Sequence, residues 1–292
     1  MAVSFQDARE SILRTFRNRG TVVYQRRDLD RIFEENRAAW RLPRRARSQT
    51  MLSLLIDAGE LTGITLSPTD DSYQSKTRYV KGDPSPFAVA LSLVNNGYLT
   101  HGTALFLHQL TDQIPAIIYV NREQTPKPSN PGSLTQAGLE RAFQGRQRRS
   151  NLSYRYRDYL LTVLSGKHTG RLEVIALPYG EGEELSVTSV ERTLIDIAVR
   201  PDYAGGVHQV LAAYRNAVDR LSINRLVAAL KTLDYVYPYH QAIGFYLERA
   251  GAPTDTLERL REPGFKFDFY LAHGLRDPAL DKSWRIYHPK GM

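Results

Sequence analysis

The stretch Pro43–Gly59, PRRARSQTMLSLLIDAG, decides how the rest of the chain is read. Arg44, Arg45 and Arg47 stand ahead of a helix or in its first turn. Ser48 is the expected N-cap and Gly59 the expected residue past the C-cap. Serine accepts from the orphan N–H groups at a helix start, and glycine takes the left-handed turn at its end. Met51, Leu55 and Ala58 fall on one stripe at helical spacing, with Gln49 and Ser53 on the opposite side. One face is therefore oily and the other can donate and accept hydrogen bonds. The N-terminal end is positive from the arginines and from its own unpaired N–H groups. That is the form of a recognition helix. N-terminal residues of such a helix reach base edges while flanking cations hold phosphates, so Arg44, Arg45, Arg47, Ser48, Gln49, Thr50 and Ser53 are the expected DNA contacts. A surface helix carrying a solvated arginine run has the same local pattern, so its neighbours must decide.

Upstream, Ser4–Arg19 reads as a helix capped by Ser4 with Asp7 three residues on, its apolar stripe Phe5, Ala8, Ile12 and Phe16. Thr21–Tyr24 is a short β-branched run. Asp28–Trp40 is a second helix with Leu29, Ile32 and Phe33 inward. Downstream, Glu60–Leu66 and Lys76–Lys81 are extended runs around the polar turn SPTDDSYQS. Three helices followed by a β-hairpin is the order of a winged helix-turn-helix. Lys76 and Arg78 on the returning strand are then wing contacts, or else edge charges that discourage sticking. Gly82-Asp83-Pro84-Ser85-Pro86 reads as a linker. The expected division is a winged helix-turn-helix domain at 1–83 and a mixed α/β domain at 84–292, an α+β chain overall.

In the second part, Phe87–Leu110 reads as two helices broken at Asn95-Asn96-Gly97. Ile117–Val120 is a strand, and Arg122–Gly138 is loop-rich, with Pro126, Pro128 and Pro131. Tyr154–Leu164 and Arg171–Leu177 read as strands. Gly180–Glu184 is an acidic turn ahead of the strand Leu185–Thr188. Helices are expected at Val190–Val199, Tyr203–Asp219, Ile223–Leu233 and Tyr239–Ala250, and strands at Phe265–Leu271 and Trp284–Tyr287.

The chain has 292 residues, 42% of them hydrophobic, and no cysteine. Disulfides, thiolate metal sites and cysteine nucleophiles are excluded. No apolar run approaches a membrane span and the N-terminus lacks a signal-peptide core, so a cytoplasmic location is expected. The net charge of +8 is unevenly placed. Residues 1–50 hold 12 basic and 6 acidic side chains, residues 141–160 hold 6 and 1, and residues 161–292 hold 16 of each. Two basic clusters point to a polyanion, most often nucleic acid.

The second cluster comprises Arg146, Arg148, Arg149, Arg155 and Arg157, interleaved with Tyr154 and Tyr156. Aromatics among arginines suit nucleic acid. They equally suit a strand whose tyrosines face a core and whose arginines are solvated, or a protein contact. No metal, cofactor or catalytic residue is expected. His101 and His108, seven apart on a helix, lie about 10 Å from each other, too far to share an ion. No nucleophile elbow, phosphate loop or HExxH motif occurs. Glu191 and Asp196 flank Arg192 but point apart on a helix, and Glu191–Arg192 reads as a pair that fixes packing or an interface.

Several stretches together resemble the AbiEi-type antitoxins of abortive-infection systems. They are LSLVNNGYLTHGTALFLHQLTDQIPAIIYV at 91–120, LSVTSVERTLIDIAVRPDYAGG at 185–206, YPYHQAIGFYLERAG at 237–251 and the closing FDFYL and DKSWRIYHP segments within 267–289. The resemblance implies a winged-helix domain that binds inverted repeats in promoter DNA and represses its own operon. It also implies an antitoxin of type IV whose functional partner is a nucleotidyltransferase-like toxin, counteracted without a stable complex. Two other readings stay open: an enzyme acting on nucleic acid or on the toxin's product, and a ligand-sensing regulator without a toxin.

Overall fold

The computed structural model describes residues 3–126, 134–180 and 182–292. Pro128, Pro131 and Glu181, read above as loop and turn residues, lie outside them.

The first elements are α1 (Phe5–Arg17), β1 (Val23–Tyr24), α2 (Arg26–Asn36), α3 (Ser48–Asp57), β2 (Thr62–Pro68) and β3 (Lys76–Val80). Ser4 and Asp7 form the expected reciprocal cap on α1. The Asp28 carboxylate accepts from the Gln25 amide at 2.9 Å and starts α2 earlier than its apolar period suggests. That helix also ends earlier, at Asn36, yet Trp40 is still buried beneath it. Ile12, Leu13 and Phe16 of α1, Leu29, Ile32 and Phe33 of α2, and Met51, Leu52 and Leu55 of α3 close around one core. Strands β1, β3 and β2 lie beside it as an antiparallel sheet.

The remaining elements are α4 (Pro86–Leu91), β4 (Tyr98–Leu99), α5 (His101–Leu107), β5 (Ile117–Glu123), α6 (Gln136–Gln144), β6 (Ser153–Tyr156), β7 (Tyr159–Gly166), β8 (Val174–Tyr179) and β9 (Glu183–Thr188). Then follow α7 (Val190–Val199), α8 (Val207–Ala217), α9 (Ile223–Leu233), α10 (Tyr239–Arg249), α11 (Thr254–Arg261), β10 (Phe269–Tyr270), β11 (Ala279–Asp281) and β12 (Ile286–His288). The architecture is mixed α+β. Among the described residues nine strands form one sheet in the order β1-β3-β2-β6-β7-β5-β4-β9-β8, and β10-β12-β11 form a second. Pairs β5–β7 and β4–β9 are parallel, so the large sheet is mixed. Its apolar face packs on α4 and α5 through Phe87, Val89, Leu99, Ile118 and Val187. A third core gathers α7, α8, α9, α10 and α11 over the small sheet, with Tyr214, Phe245, Tyr246, Phe269 and Trp284 fully buried.

The sheet runs without a break across the 82–86 segment. Ser67 of β2 pairs with Arg155 of β6, and Pro68 with Tyr154. The Thr69 amide adds a bond to the Ser153 carbonyl at 3.0 Å. The 82–86 segment is itself pinned: Ser85 caps α4, its amide donates to Glu183 at 2.7 Å, and its hydroxyl donates to the same carboxylate. Asp83 pairs with Arg157.

Candidate nucleic-acid interface and polar pocket

On α3 the buried stripe is Met51, Leu52 and Leu55, while Gln49, Thr50 and Ser53 are exposed. Arg44, Arg45 and Arg47 are exposed too, and their guanidinium groups have no partner among the described residues. Ser48 departs from its expected role. The N-cap is Arg47, and Ser48 is the first helical residue. Its hydroxyl donates to Asp30 at 2.6 Å and accepts from Arg26 at 2.9 Å. Arg26 also donates to the Gln49 side-chain oxygen and pairs with Asp30 at 3.0 Å. This bridge ties α2 to the first turn of α3, beside the apolar contact of Leu29, Ile32 and Phe33 with Met51, Leu52 and Leu55. It also occupies Ser48 and part of Gln49, which leaves Thr50, Ser53 and the three arginines as the polar side chains of this end without partners among the described residues.

The wing contacts must be corrected. Register sets Lys76 opposite Leu66 and Arg78 opposite Ile64. Directly opposed residues share a face, and Leu66 is fully buried, so both cations lie on the inner face of the hairpin. Arg78 is buried, and its guanidinium donates to the Ser92 carbonyl at 2.9 and 3.2 Å and to the Ser92 hydroxyl at 3.0 Å. Burial pulls its pKa below the ordinary guanidinium value, with Asp28 opposing that pull. Arg78 is therefore a staple onto the end of α4, out of reach of DNA in this arrangement. Lys76 is half-buried with its ammonium 5.8 Å from the Tyr154 ring centre. The hairpin tip carries Asp70 and Asp71, which repel phosphate.

In the second basic cluster, Tyr154 and Tyr156 are buried in the sheet core and Arg155 projects from the opposite face. Arg149 pairs with Asp202 at 2.9 Å and Arg157 with Asp83, while Arg146, Arg148 and Arg155 are exposed without partners among the described residues. The alternation is that of an ordinary edge of a core, not of an aromatic stacking platform.

A second constellation arises where two of the sequence motifs meet. Thr100-His101-Gly102 starts α5, and Glu191–Asp196 lies in α7, which is buried nearly throughout. Arg192 pairs with Asp196 at 2.8 Å, one helical turn on, and not with Glu191 as expected. Glu191 instead accepts from the Ser222 amide at 3.1 Å and faces Arg225 at 3.6 Å. Burial opposes the charge on Arg192, but Asp196, with Tyr235 and Tyr98 nearby, holds its pKa above the ordinary value. The second oxygen of Asp196 accepts from the Thr100 hydroxyl at 2.9 Å, and that hydroxyl lies 3.1 Å from His101 Nδ1. Gly102 is required by packing, since a Cβ there would stand 2.8 Å from the Tyr203 carbonyl oxygen.

Of these residues His101, Arg192 and Asp196 line a pocket of about 380 Å³ with Asn121, Gln124, Ser165, Lys167, His168, Arg200 and Tyr235. Lys167 is spent on the end of α9, donating to the carbonyls of Leu233 and Asp234. Gly166 makes room for Asn121, whose amide oxygen would stand 2.6 Å from a Cβ at that position. Asn121 donates to the Tyr98 hydroxyl at 2.7 Å. Burial pushes the Tyr98 phenol up to about 12. Sequence reasoning missed this pocket. Its residues come from five separate stretches between 101 and 235, and among them only the T-H-G and E-R-T-L-I-D runs stand out.

Burial pulls the His101 pKa down to about 4, with Arg200 and Arg192 adding to the effect and Asp196 opposing it. The unfolded chain binds this proton near pH 6.5. Between those values the unfolded state holds more protons, so stability is full above about pH 6.5 and drains as pH falls toward 4. The upper bound for this one group is ~3 kcal/mol. His101→Asn suits the backbone φ of 51° at this position. Urea denaturation between pH 7.5 and 4 is expected to give a shallower pH dependence in the variant. His108, His240 and His273, also lowered by burial, supply a slope common to both proteins.

No helix of the described residues is long and apolar enough to cross a membrane. No family model matches the chain, and comparison with curated proteins finds no relative. Among solved structures, the crystal structure of the Rv2827c protein from Mycobacterium tuberculosis is similar, with a TM-score of 0.55 at 15% identity over 97% of this chain and 90% of that one. At that identity the likeness is one of fold alone.

Proposed function

We propose that the chain is a DNA-binding autorepressor and antitoxin of the AbiEi type, with residues 1–83 serving as a winged helix-turn-helix. The observation that carries the DNA half is the end of α3. Three arginines stand exposed there, unpaired among the described residues, beside Thr50 and Ser53, on a helix tied to α2 through Arg26. The element order helix, strand, helix, helix and hairpin supports the same reading. The hairpin contributes no inner-face cation to it, so Arg44, Arg45 and Arg47 carry the phosphate contacts. The antitoxin half rests on the resemblance of the quoted stretches to that family, two of which meet at Thr100 and Asp196.

The test uses the full chain and DNA from upstream of its own gene, titrated by fluorescence anisotropy against scrambled DNA at two salt concentrations. Arg45→Ala with Arg47→Ala is expected to weaken binding to every sequence and to reduce the salt slope by ~0.9 for each phosphate that is no longer neutralised. Thr50→Ala or Ser53→Ala is expected to cost ~1–3 kcal/mol only on the specific site. Lys76→Ala is expected to change neither. An unchanged curve in the arginine pair removes the DNA reading. The antitoxin half is tested by co-expression with a nucleotidyltransferase-like toxin encoded beside the gene, where restored growth is expected.

A further inference from the structure

The pocket at the meeting of α5, α7 and the sheet has no part in DNA binding by α3, yet it is built for a ligand. Arg192 is almost wholly buried, with a side-chain exposure of 5%. Its Nε is held by Asp196 at 2.8 Å and its Nη1 by the Leu172 carbonyl at 3.0 Å, which leaves Nη2 without a partner among the described residues. Arg200, at the end of the same helix, is half-buried against the Tyr203 ring at 5.8 Å and has no hydrogen-bond or ionic partner among the described residues. The Tyr235 hydroxyl has none either, and its residue also lines the cavity.

The histidine adds a complementary group. Thr100 has one hydroxyl proton, and it goes to the Asp196 carboxylate. The 3.1 Å contact between that hydroxyl and His101 is then a bond donated by Nδ1–H. A neutral imidazole with its proton on Nδ1 has a bare lone pair on Nε2. The pocket therefore pairs anion-binding donors with a fixed acceptor. Among its described lining side chains Arg192 and Arg200 are cationic and Asp196 is anionic, and Lys167, whose ammonium is turned to the α9 carbonyls, adds a further positive charge, so the lining is net positive. That balance matches a phosphate monoester dianion better than a carboxylate. Guanidinium groups suit phosphate oxygens through their planar array of donors. A cavity of about 380 Å³ is larger than phosphate itself needs and lies in the range of small-ligand sites. Asn121, Gln124 and Ser165 give the remainder a polar wall suited to hydroxyls or a base.

We propose that this pocket binds a small phosphate monoester, a sugar phosphate or nucleoside monophosphate. Arg192 Nη2, the Arg200 guanidinium and the Tyr235 hydroxyl hold the phosphate, and His101 Nε2 accepts from a hydroxyl or amino group of the ester. This site stands apart from the DNA reading.

Isothermal titration of the full chain with inorganic phosphate, ribose 5-phosphate, AMP and CMP tests it, with ribose and adenosine as unphosphorylated controls. Saturable one-to-one binding of at least one ester is expected, with the unphosphorylated controls silent. Arg200→Ala is expected to weaken that binding by about tenfold or more, and Tyr235→Phe several-fold, with circular dichroism and melting temperature unchanged. Preference for a nucleotide over ribose 5-phosphate assigns the polar wall to a base, and the reverse assigns it to a sugar. Absence of saturable binding up to about 10 mM, or equal binding by Arg200→Ala, overturns the proposal. Inorganic phosphate binding as tightly as every ester overturns the ester assignment. Equal loss in the Arg45→Ala, Arg47→Ala protein would move the anion to α3 and also overturn it.

Discussion

Asp196→Ala is expected to cost about 3–5 kcal/mol of stability, the range for breaking a buried ion pair from one side. The carboxylate holds three groups in place: the Arg192 guanidinium directly, the Thr100 hydroxyl directly and His101 through Thr100. Removing it leaves a buried cation without its counter-charge and a buried hydroxyl without its acceptor. Asp196→Asn keeps the shape and one acceptor, so its cost is expected to be smaller than that of alanine. The decisive comparison is the double replacement Arg192→Met with Asp196→Leu, which removes both charges. It is expected to be more stable than Asp196→Ala alone, because the penalty comes from the stranded charge and not from the missing attraction. Urea denaturation at pH 7.5 measures all three. A loss below about 1 kcal/mol in Asp196→Ala would show that the pair is hydrated as surface pairs are.

Gly244→Ala is the second large effect, and intrinsic propensity predicts the wrong sign for it. Alanine in place of a mid-helix glycine normally stabilises by ~1 kcal/mol. Here a Cβ would stand 2.0, 2.3 and 2.6 Å from three carbons of the Trp284 indole. Trp284 is fully buried, and Phe265 and Arg261 lie against its ring at 5.6 and 4.3 Å, so it cannot swing aside. Overpacking of this kind costs ~1–3 kcal/mol or more, and the severity of the overlap places the expectation at or above the upper end. Trp284→Leu combined with Gly244→Ala is expected to cost less than the sum of the two single changes, since the smaller side chain admits the methyl. Thermal melts of the four proteins form the cycle, and strict additivity would remove the packing explanation.

The elements legible in the sequence are those whose apolar period and caps agree. Val190–Val199 and Ile223–Leu233 have the bounds expected from their pattern, each preceded by a serine cap. Helix α1 is readable for the same reason, whereas α2 and α3 are found by their apolar stripes although their N-caps are Gln25 and Arg47. Where signals are local and irregular the sequence misleads. Tyr154–Leu164 reads as one strand because its turn, Arg157-Asp158, lacks the glycine or asparagine that marks a hairpin, although Arg157 has a φ of 51°. The short strands β4 and β11 and the helices α6 and α11 carry too few apolar repeats to stand out. The inner placement of Lys76 and Arg78 depends on strand register and on what covers the sheet, which one strand's sequence does not contain. The pocket depends on residues far apart along the chain, so its chemistry becomes visible only where Thr100 meets Asp196.

The pairing of β2 with β6 also imposes a schedule on synthesis. The residues of β2 leave the ribosome roughly 85 residues before their partners in β6, a delay of about 4–17 s at ~5–20 residues per second. Through that interval Leu66 and Arg78 have no lid, and the open strand is a template for any other nascent chain. Asp70 and Asp71 sit at the end of that strand, where like charges on neighbouring chains keep edges from joining. A chain stopped at residue 83 would remain in this state permanently. Its solubility, more than its affinity for DNA, would decide what can be made of it in isolation.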